Sequence, residues 1–279
     1  MLIEFSVKNY RSFRDEAILS LEATKSSTLK SVLIPFGGTP ILPSTAIYGK
    51  NGGGKSNVIR AFWLAVQFIR NAQRTQHEKA AIPVVPFALN DYSASEPTKF
   101  SFLYTLDGIR YWYSFSATKE KVYTESLYHA PKGRKTLVFA REGQEFSFTE
   151  AKARRKLISQ VVAENQLFFS VACTMNDVDC AKAMMWFREM IYFSRDYSDI
   201  PRQLLEYPND ANILRAISNY AKATDVGIED MRFEINGKQI DEEAASSEEI
   251  RAELVQFMRL LSETSNDSET NLKAISIHQ

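Results

Sequence analysis

Cysteine is scarce in this chain: its 279 residues hold only Cys173 and Cys180. Two are too few for a disulfide framework and lack the paired close spacing of a zinc site, so both are expected in the core. Histidine is nearly as scarce, and His77, His129 and His278 have no partners at ligand spacing, which leaves no support for a metal other than Mg²⁺. Charge of one sign is not in excess. With 34 basic and 34 acidic side chains the net charge is zero, so any contact with nucleic acid or a membrane surface must be local. Long hydrophobic runs are missing too. The longest uncharged stretch, Ser31 to Gly49, contains Pro35, Gly37, Gly38, Pro40 and Pro43, which no membrane helix would crowd together. Glu4, Lys8, Arg11 and Arg14 occupy the place of the apolar core of a secretory signal. These absences predict a cytoplasmic protein without a membrane partner, and the length predicts about two domains at roughly 150 residues per core.

What is present begins with alternation. Ile3 to Lys8 and Glu16 to Glu22 read as two strands, and a short apolar strand is expected at Thr45 to Tyr48. From Ser56 to about Gln73 no glycine or proline interrupts the chain, and Val58, Ile59, Phe62, Trp63, Val66, Phe68 and Ile69 recur at helical spacing, which predicts a helix packed on most sides. Phe100 to Leu106 and Ile109 to Phe115 then alternate around Asp107-Gly108, the two-residue signature of a tight hairpin. Strand-like runs continue through Val122 to Tyr128, Thr136 to Ala140 and Glu145 to Thr149, with turn signals at Pro131-Lys132-Gly133 and Glu142-Gly143. Helical patterns follow at Lys152 to Ala163, Asn165 to Thr174, Asp179 to Tyr192 and Asp210 to Ala223, then a short strand pair around Asn236-Gly237. Between Asp241 and Thr270 nine acids face two arginines, with one amphipathic helix through Val255, Met258 and Leu261; the tail after Ser262 is expected to be poorly ordered. The predicted division is a nucleotide-binding lobe over 1–149 and a helical region with a hairpin and acidic tail over 150–279.

The octet Gly49-Lys50-Asn51-Gly52-Gly53-Gly54-Lys55-Ser56 lies between the expected strand and the long helix, the context in which glycine, four residues, glycine-lysine-serine means a phosphate loop. Glycines let backbone N–H groups close around a phosphate. Lys55 supplies a charge to the β and γ phosphates, Ser56 a hydroxyl to Mg²⁺, and the helix N-terminus adds its dipole. Asn51 either donates its amide to phosphate oxygens, the preferred reading, or only tolerates the turn geometry. The Asn-Lys-x-Asp element of a guanine pocket does not occur, so ATP is the default.

Together with the octet and Asn57, the upstream Phe5-Ser6-Val7-Lys8-Asn9-Tyr10-Arg11-Ser12-Phe13 resembles the head of the RecF, SMC and OLD-type ABC ATPases. Ile47-Tyr48-Gly49, Pro86-Phe87-Ala88-Leu89 and Asn165-Gln166-Leu167-Phe168-Phe169-Ser170 narrow the resemblance to the RloA-like AAA-family ATPases of abortive infection and phage defence, over roughly residues 1–200. It implies an α/β fold, a P-loop NTPase head of ABC type with an antiparallel β meander and a helical region. It also implies ATP and Mg²⁺ as cofactors, a homodimer or higher oligomer, and coupling to an effector such as a nuclease. The resemblance places Arg11 at the nucleotide, where the residue alone reads as a solvated charge; the nucleotide-binding set is then Arg11, Gly49, Lys50, Asn51, Gly52, Gly53, Gly54, Lys55, Ser56 and Asn57. Such heads complete their site with a serine-glycine signature, an apolar strand ending Asp-Glu and a histidine switch. Here Asp241-Glu242-Glu243 follows Gly-Lys-Gln-Ile, and His278 stands alone. The expectation is therefore the N-terminal part of a longer ATPase that binds without hydrolysing, with no catalytic residue assigned. The alternative is a nucleotide-binding regulatory or interaction subunit.

Three further features read as structural first. Tyr111 and Tyr113 should join the apolar face with Trp112 opposite, rather than form a stacking platform for single strands. Lys152, Arg154, Arg155 and Lys156 form a basic helix whose plain reading is a solvated face and whose alternative is nucleic-acid contact. Met184, Met185, Trp186, Phe187, Met190 and Ile191 read as core.

Overall fold

The computed structural model describes residues 1–24, 30–38, 40–72, 81–89, 91–191, 193 and 219, with only the backbone course given for 91, 228–235, 238–240 and 272–278. Its contacts divide the chain into two compact units, Met1–Tyr192 and Phe193–Gln279.

The first unit is mixed α/β, built on a seven-stranded antiparallel sheet. Its strands are β1 (Leu2–Lys8), β2 (Ala17–Ser20), β3 (Thr98–Leu106), β4 (Ile109–Ala117), β5 (Val122–Ala130), β6 (Thr136–Glu142) and β7 (Glu145–Phe148), in the order β2-β1-β3-β4-β5-β6-β7. Alternation sends one side chain in two to a common inner face. Phe5, Phe102, Tyr113, Leu127, Phe139 and Phe148 are successive register partners and make one row across six strands. The β3–β4 hairpin turns on Asp107 (φ 50°) and Gly108 (φ 75°), both left-handed as a two-residue loop of this kind requires.

Helices α1 (Lys55–Asn71), α2 (Asp91–Ser95), α3 (Lys152–Ser159), α4 (Phe168–Thr174) and α5 (Val178–Glu189) complete the unit. α1 meets the aromatic row through Phe62, edge-on to Phe5 with ring centres 5.1 Å apart. Phe169 of α4 lies 4.6 Å from Tyr113, and Trp186 of α5 stacks on Tyr104 at 4.4 Å. A buried carboxylate fixes α4. Glu125 accepts the Phe168 and Phe169 N–H groups and the Tyr113 hydroxyl, with Arg141 3.8 Å away. Burial pushes the Glu125 carboxyl above its ordinary value, against the opposing pull of Arg141 and these hydrogen bonds. Arg70, near the end of α1, donates to the carbonyls of Phe187 and Ile191 and so ties α1 to the last turn of α5.

Several expectations change. Thr45–Tyr48 is not a strand: residues 44–50 pair with nothing regular and Tyr48 is 89% exposed. The apolar residues are there, but no described neighbouring strand offers a ladder to join. α1 is packed on one side only, leaving Ile59 and Trp63 exposed, and Met185 and Met190 also face outward. The basic helix is a solvated face at Lys152, Arg154 and Lys156, which are exposed, but not at Arg155. Arg155 is 1% exposed and donates to both Asp177 oxygens and to Asp179, while Arg154 donates to the carbonyls of Met175 and Asn176. Arg155 is thus withdrawn from phosphate contact by the N-cap carboxylate of α5, while Arg154 closes the open end of α4 from an exposed position. Cys173 and Cys180 are free and buried, and Tyr111 and Tyr113 sit inside, as expected.

The second unit shows a three-stranded antiparallel sheet of β8 (Ile228–Ile235), β9 (Lys238–Ile240) and β10 (Leu272–His278), in the order β10-β8-β9. β8 and β9 are the expected strand pair. β10 corrects the reading of the tail, since Leu272–His278 pairs along β8 from Leu272↔Ile235 to His278↔Ile228. The helices expected around Asp210–Ala223 and Val255–Leu261 lie outside the described residues, apart from Asn219. Among the described residues no helix is long and apolar enough to cross a membrane.

Candidate functional site

The octet Gly49 to Ser56, the expected phosphate loop, owes its shape to its glycines. Gly49, Gly52 and Gly54 have φ of 154°, 79° and 87°, a region that side chains with a Cβ rarely adopt. Gly53 is needed for another reason: a Cβ there would lie 3.0 Å from the Lys50 carbonyl oxygen, to which the Gly53 N–H donates at 3.1 Å. α1 starts immediately after Gly54, so the first N–H groups of a 17-residue helix open onto the loop.

Lys55 is held by the loop itself. Its Nζ donates to the Gly49 carbonyl at 2.7 Å and to the Lys50 carbonyl at 2.8 Å. An ammonium has three donors, so one is left over for an anion at the loop. The side chain is therefore positioned before any ligand arrives, which lowers the ordering cost of binding. Ser56 is exposed on the first turn of α1, and its hydroxyl is the hard oxygen that Mg²⁺ prefers. Lys50 and Asn51 are exposed beside it. A glycine cradle, a pre-set ammonium and a helix N-terminus fit a magnesium-bound polyphosphate.

The turn after β1 is built against this loop. Tyr10 and Phe13 exchange both backbone hydrogen bonds at 2.8 Å, closing a four-residue turn with Arg11 at φ 49°. Asn9, 3% exposed and at φ 55°, is its anchor: Nδ2 donates to the carbonyls of Ser93 and Glu96, and Oδ1 accepts the Phe87 N–H. Three residues on, Ser12 Oγ accepts from Asn57 Nδ2 at 2.8 Å. A Cβ on Gly54 would stand 3.2 Å from the Phe13 ring and from Ser12 Oγ. Turn and loop are thus in direct contact, although Ile3–Lys8 and Lys55–Asn71 are far apart in the chain. Arg11 sits at the exposed tip of this turn, its Nε donating to the Tyr10 hydroxyl at 3.2 Å.

Asn57 therefore bonds the turn, while Arg11 is one residue from the contact. Ser12, Phe13 and Asn9 are structural parts of the site that the sequence reading did not assign individually. The signal was present, since all three belong to the Asn-Tyr-Arg-Ser-Phe element. Among the described residues no group of three or more histidine, cysteine, aspartate or glutamate side chains gathers as a metal cluster.

A family model described as "AAA domain, putative AbiEii toxin, Type IV TA system" matches residues 44–267. The chain belongs to that family. The match begins just before the phosphate loop and takes in α1 and the entire β3–β7 meander. Membership in this AAA-domain family gives the chain a nucleotide-binding, ATPase-like role associated with abortive infection and toxin–antitoxin systems. No curated protein matches the chain significantly.

Proposed function

We propose that this AAA-domain protein is the ATP-binding head of an ABC-type ATPase of the RecF, SMC and OLD-like superfamily, acting in cytoplasmic anti-phage defence. The observation that carries the reading is the contact of the Asn9–Phe13 turn with the phosphate loop, through Ser12–Asn57 and Gly54–Phe13. A glycine-rich loop could belong to many NTPases; one built against an Asn-Tyr-Arg-Ser-Phe turn from an antiparallel β1 points to heads of this type.

In this site the loop N–H groups and Lys55 hold the β and γ phosphates, and the exposed Ser56 hydroxyl offers the metal an oxygen. Bound Mg²⁺ supplies charge neutralisation across those phosphates. Arg11, at the exposed tip of the turn, would meet the rest of the nucleotide, which we take to be ATP. The head then works as a homodimer or higher oligomer, passing its nucleotide state to an effector such as a nuclease.

A second reading, a nucleotide-binding regulatory subunit without hydrolysis, is favoured by one observation. The only Asp-Glu element of the given sequence after the meander, Asp241-Glu242, follows the three-residue β9, Lys238–Ile240, rather than an apolar run. Both readings require the same metal-assisted binding. Calorimetric titration of ATP with and without Mg²⁺ should show an affinity gain on adding metal in the wild-type protein that disappears in Ser56→Ala, with metal-free binding unchanged. An equal loss in both conditions would contradict the assignment of Ser56.

A further inference from the structure

At the end of the sheet remote from the phosphate loop, the first unit opens into a cleft of about 500 Å³. The turn that contacts the loop follows Lys8, whose row runs through Lys99 and Ser116, whereas the cleft starts at Tyr111, across from Tyr104. At about 3.3 Å per residue the two places are roughly 15 Å or more apart along the strands.

Its floor is a row of register partners, Tyr111, His129 and Thr136, on β4, β5 and β6. That floor is rigid at one edge, because Tyr111 is 2% exposed and stacks on Tyr104, which stacks in turn on Trp186. One wall is the β5–β6 turn. Gly133, at φ 80°, donates its N–H to the Ala130 carbonyl, and the turn so formed gives Lys132 and Arg134 to the lining. Its next residue, Lys135, goes elsewhere, with Nζ 4.8 Å from the Trp112 ring centre and 4.5 Å from that of Tyr128. The lining also takes in Asp179 and Lys182 from the first turns of α5, and Glu150.

Charge decides what such a cleft takes. Asp179 is occupied, since Arg155 donates to it at 2.7 Å. Lys132, Arg134 and Lys182 form no ion pair with any described residue, and Glu150 is the only other acid in the lining. Three uncommitted cations from two elements therefore face one uncommitted carboxylate. A concave space of a few hundred Å³ suits a small molecule rather than a polymer.

We propose that this cleft is a second anion site, binding a small organic phosphate monoester through Lys132, Arg134 and Lys182. A monoester carries close to two negative charges at neutral pH, and it matches a guanidinium fork flanked by point charges better than a carboxylate does. Thr136 and His129 on the floor supply further hydrogen-bonding groups under the ligand. The site needs nothing from the phosphate loop, so it stands whether or not that loop binds ATP.

The test uses the ring resonance of His129, one of three histidines in the chain, identified by its loss in His129→Gln. In a Lys55→Ala background, which disables the phosphate loop, the full-length protein is titrated at constant ionic strength with sodium phosphate, with AMP and with chloride. The expected result is a saturable shift of the His129 signal, half-complete at lower AMP than inorganic phosphate, and absent with chloride. Lys132→Glu combined with Lys182→Glu should raise the midpoint about tenfold or more, as should the milder Arg134→Gln, because charge-assisted bonds are lost. Lys135→Glu, outside the cleft, should leave it unchanged. A shift that does not saturate, that chloride reproduces, or that survives Arg134→Gln and the double reversal would overturn the proposal. Saturation by inorganic phosphate with no preference for AMP would overturn its organic-monoester part.

Discussion

Gly54 sets how closely the turn of Ser12 and Phe13 can approach the phosphate loop. Its φ of 87° strains any residue with a Cβ, and at 3.2 Å from that Cβ the Phe13 ring and Ser12 Oγ would have to give by a few tenths of an ångström. Gly54→Ala should therefore cost about 1–3 kcal/mol of stability through backbone strain and displaced neighbours. It should also weaken ATP binding with Lys55 still in place, since the loop must move away from the turn. Urea unfolding and titration of the same sample check both; unchanged affinity would mean that turn and loop are not one site. Arg11 shows the limit of reading single residues. Its neighbours Ser12 and Phe13 touch the loop, yet its own guanidinium bonds Tyr10, a choice made by backbone geometry at φ 49° that no spacing rule encodes.

Among elements, the hairpin of β3 and β4 was the most legible part of the fold, because two long alternating runs flank an Asp-Gly pair that can adopt both positive φ values. The expected strand at Thr45–Tyr48 failed for the opposite reason: apolar residues make a strand only when a neighbour completes the ladder. Arg155 was misread because charge runs usually face water, whereas α3 turns this one residue inward to the N-cap of α5. Asp177 there caps the Cys180 N–H. Burial opposes ionisation of Asp177, but the hydrogen bonds from Arg155 and Cys180 and the guanidinium charge outweigh it and hold its pKa below the ordinary value. A lowered pKa in the folded state means that the stabilisation is present above the ordinary aspartate pKa and is lost as pH falls through the lowered one. Arg155→Met removes the partner and leaves two carboxylates uncompensated, which should cost about 3–5 kcal/mol at pH 7. The gap to wild type should narrow on acidification, because the variant's Asp177 takes up its proton at a higher pH. Urea melts at neutral and acidic pH decide it, and a gap that widens toward acid would contradict this role.

At the scale of the whole molecule, every residue assigned to the nucleotide and the aromatic core lie within Met1–Tyr192. A fragment of residues 1–192 should consequently fold, unfold cooperatively in urea and bind ATP with the affinity of the full chain. Loss of binding in a folded fragment would show that the second unit contributes to the site. The family of the protein was legible because the octet proposed to recognise phosphate is a short, contiguous motif whose every glycine has a geometric task. The packing of that octet against a turn some forty residues upstream was not, since contacts between distant segments leave no periodicity. The most direct test of the account is calorimetric titration of Mg-ATP into the wild-type chain and Lys55→Ala. Lys55 already spends two donors on Gly49 and Lys50 and is held ready for phosphate. Its removal should weaken binding by about 2–4 kcal/mol, the loss of a charged hydrogen-bonding partner, without lowering the unfolding midpoint. Equal affinity in the two folded proteins would contradict the phosphate loop assignment, and the account of the site with it.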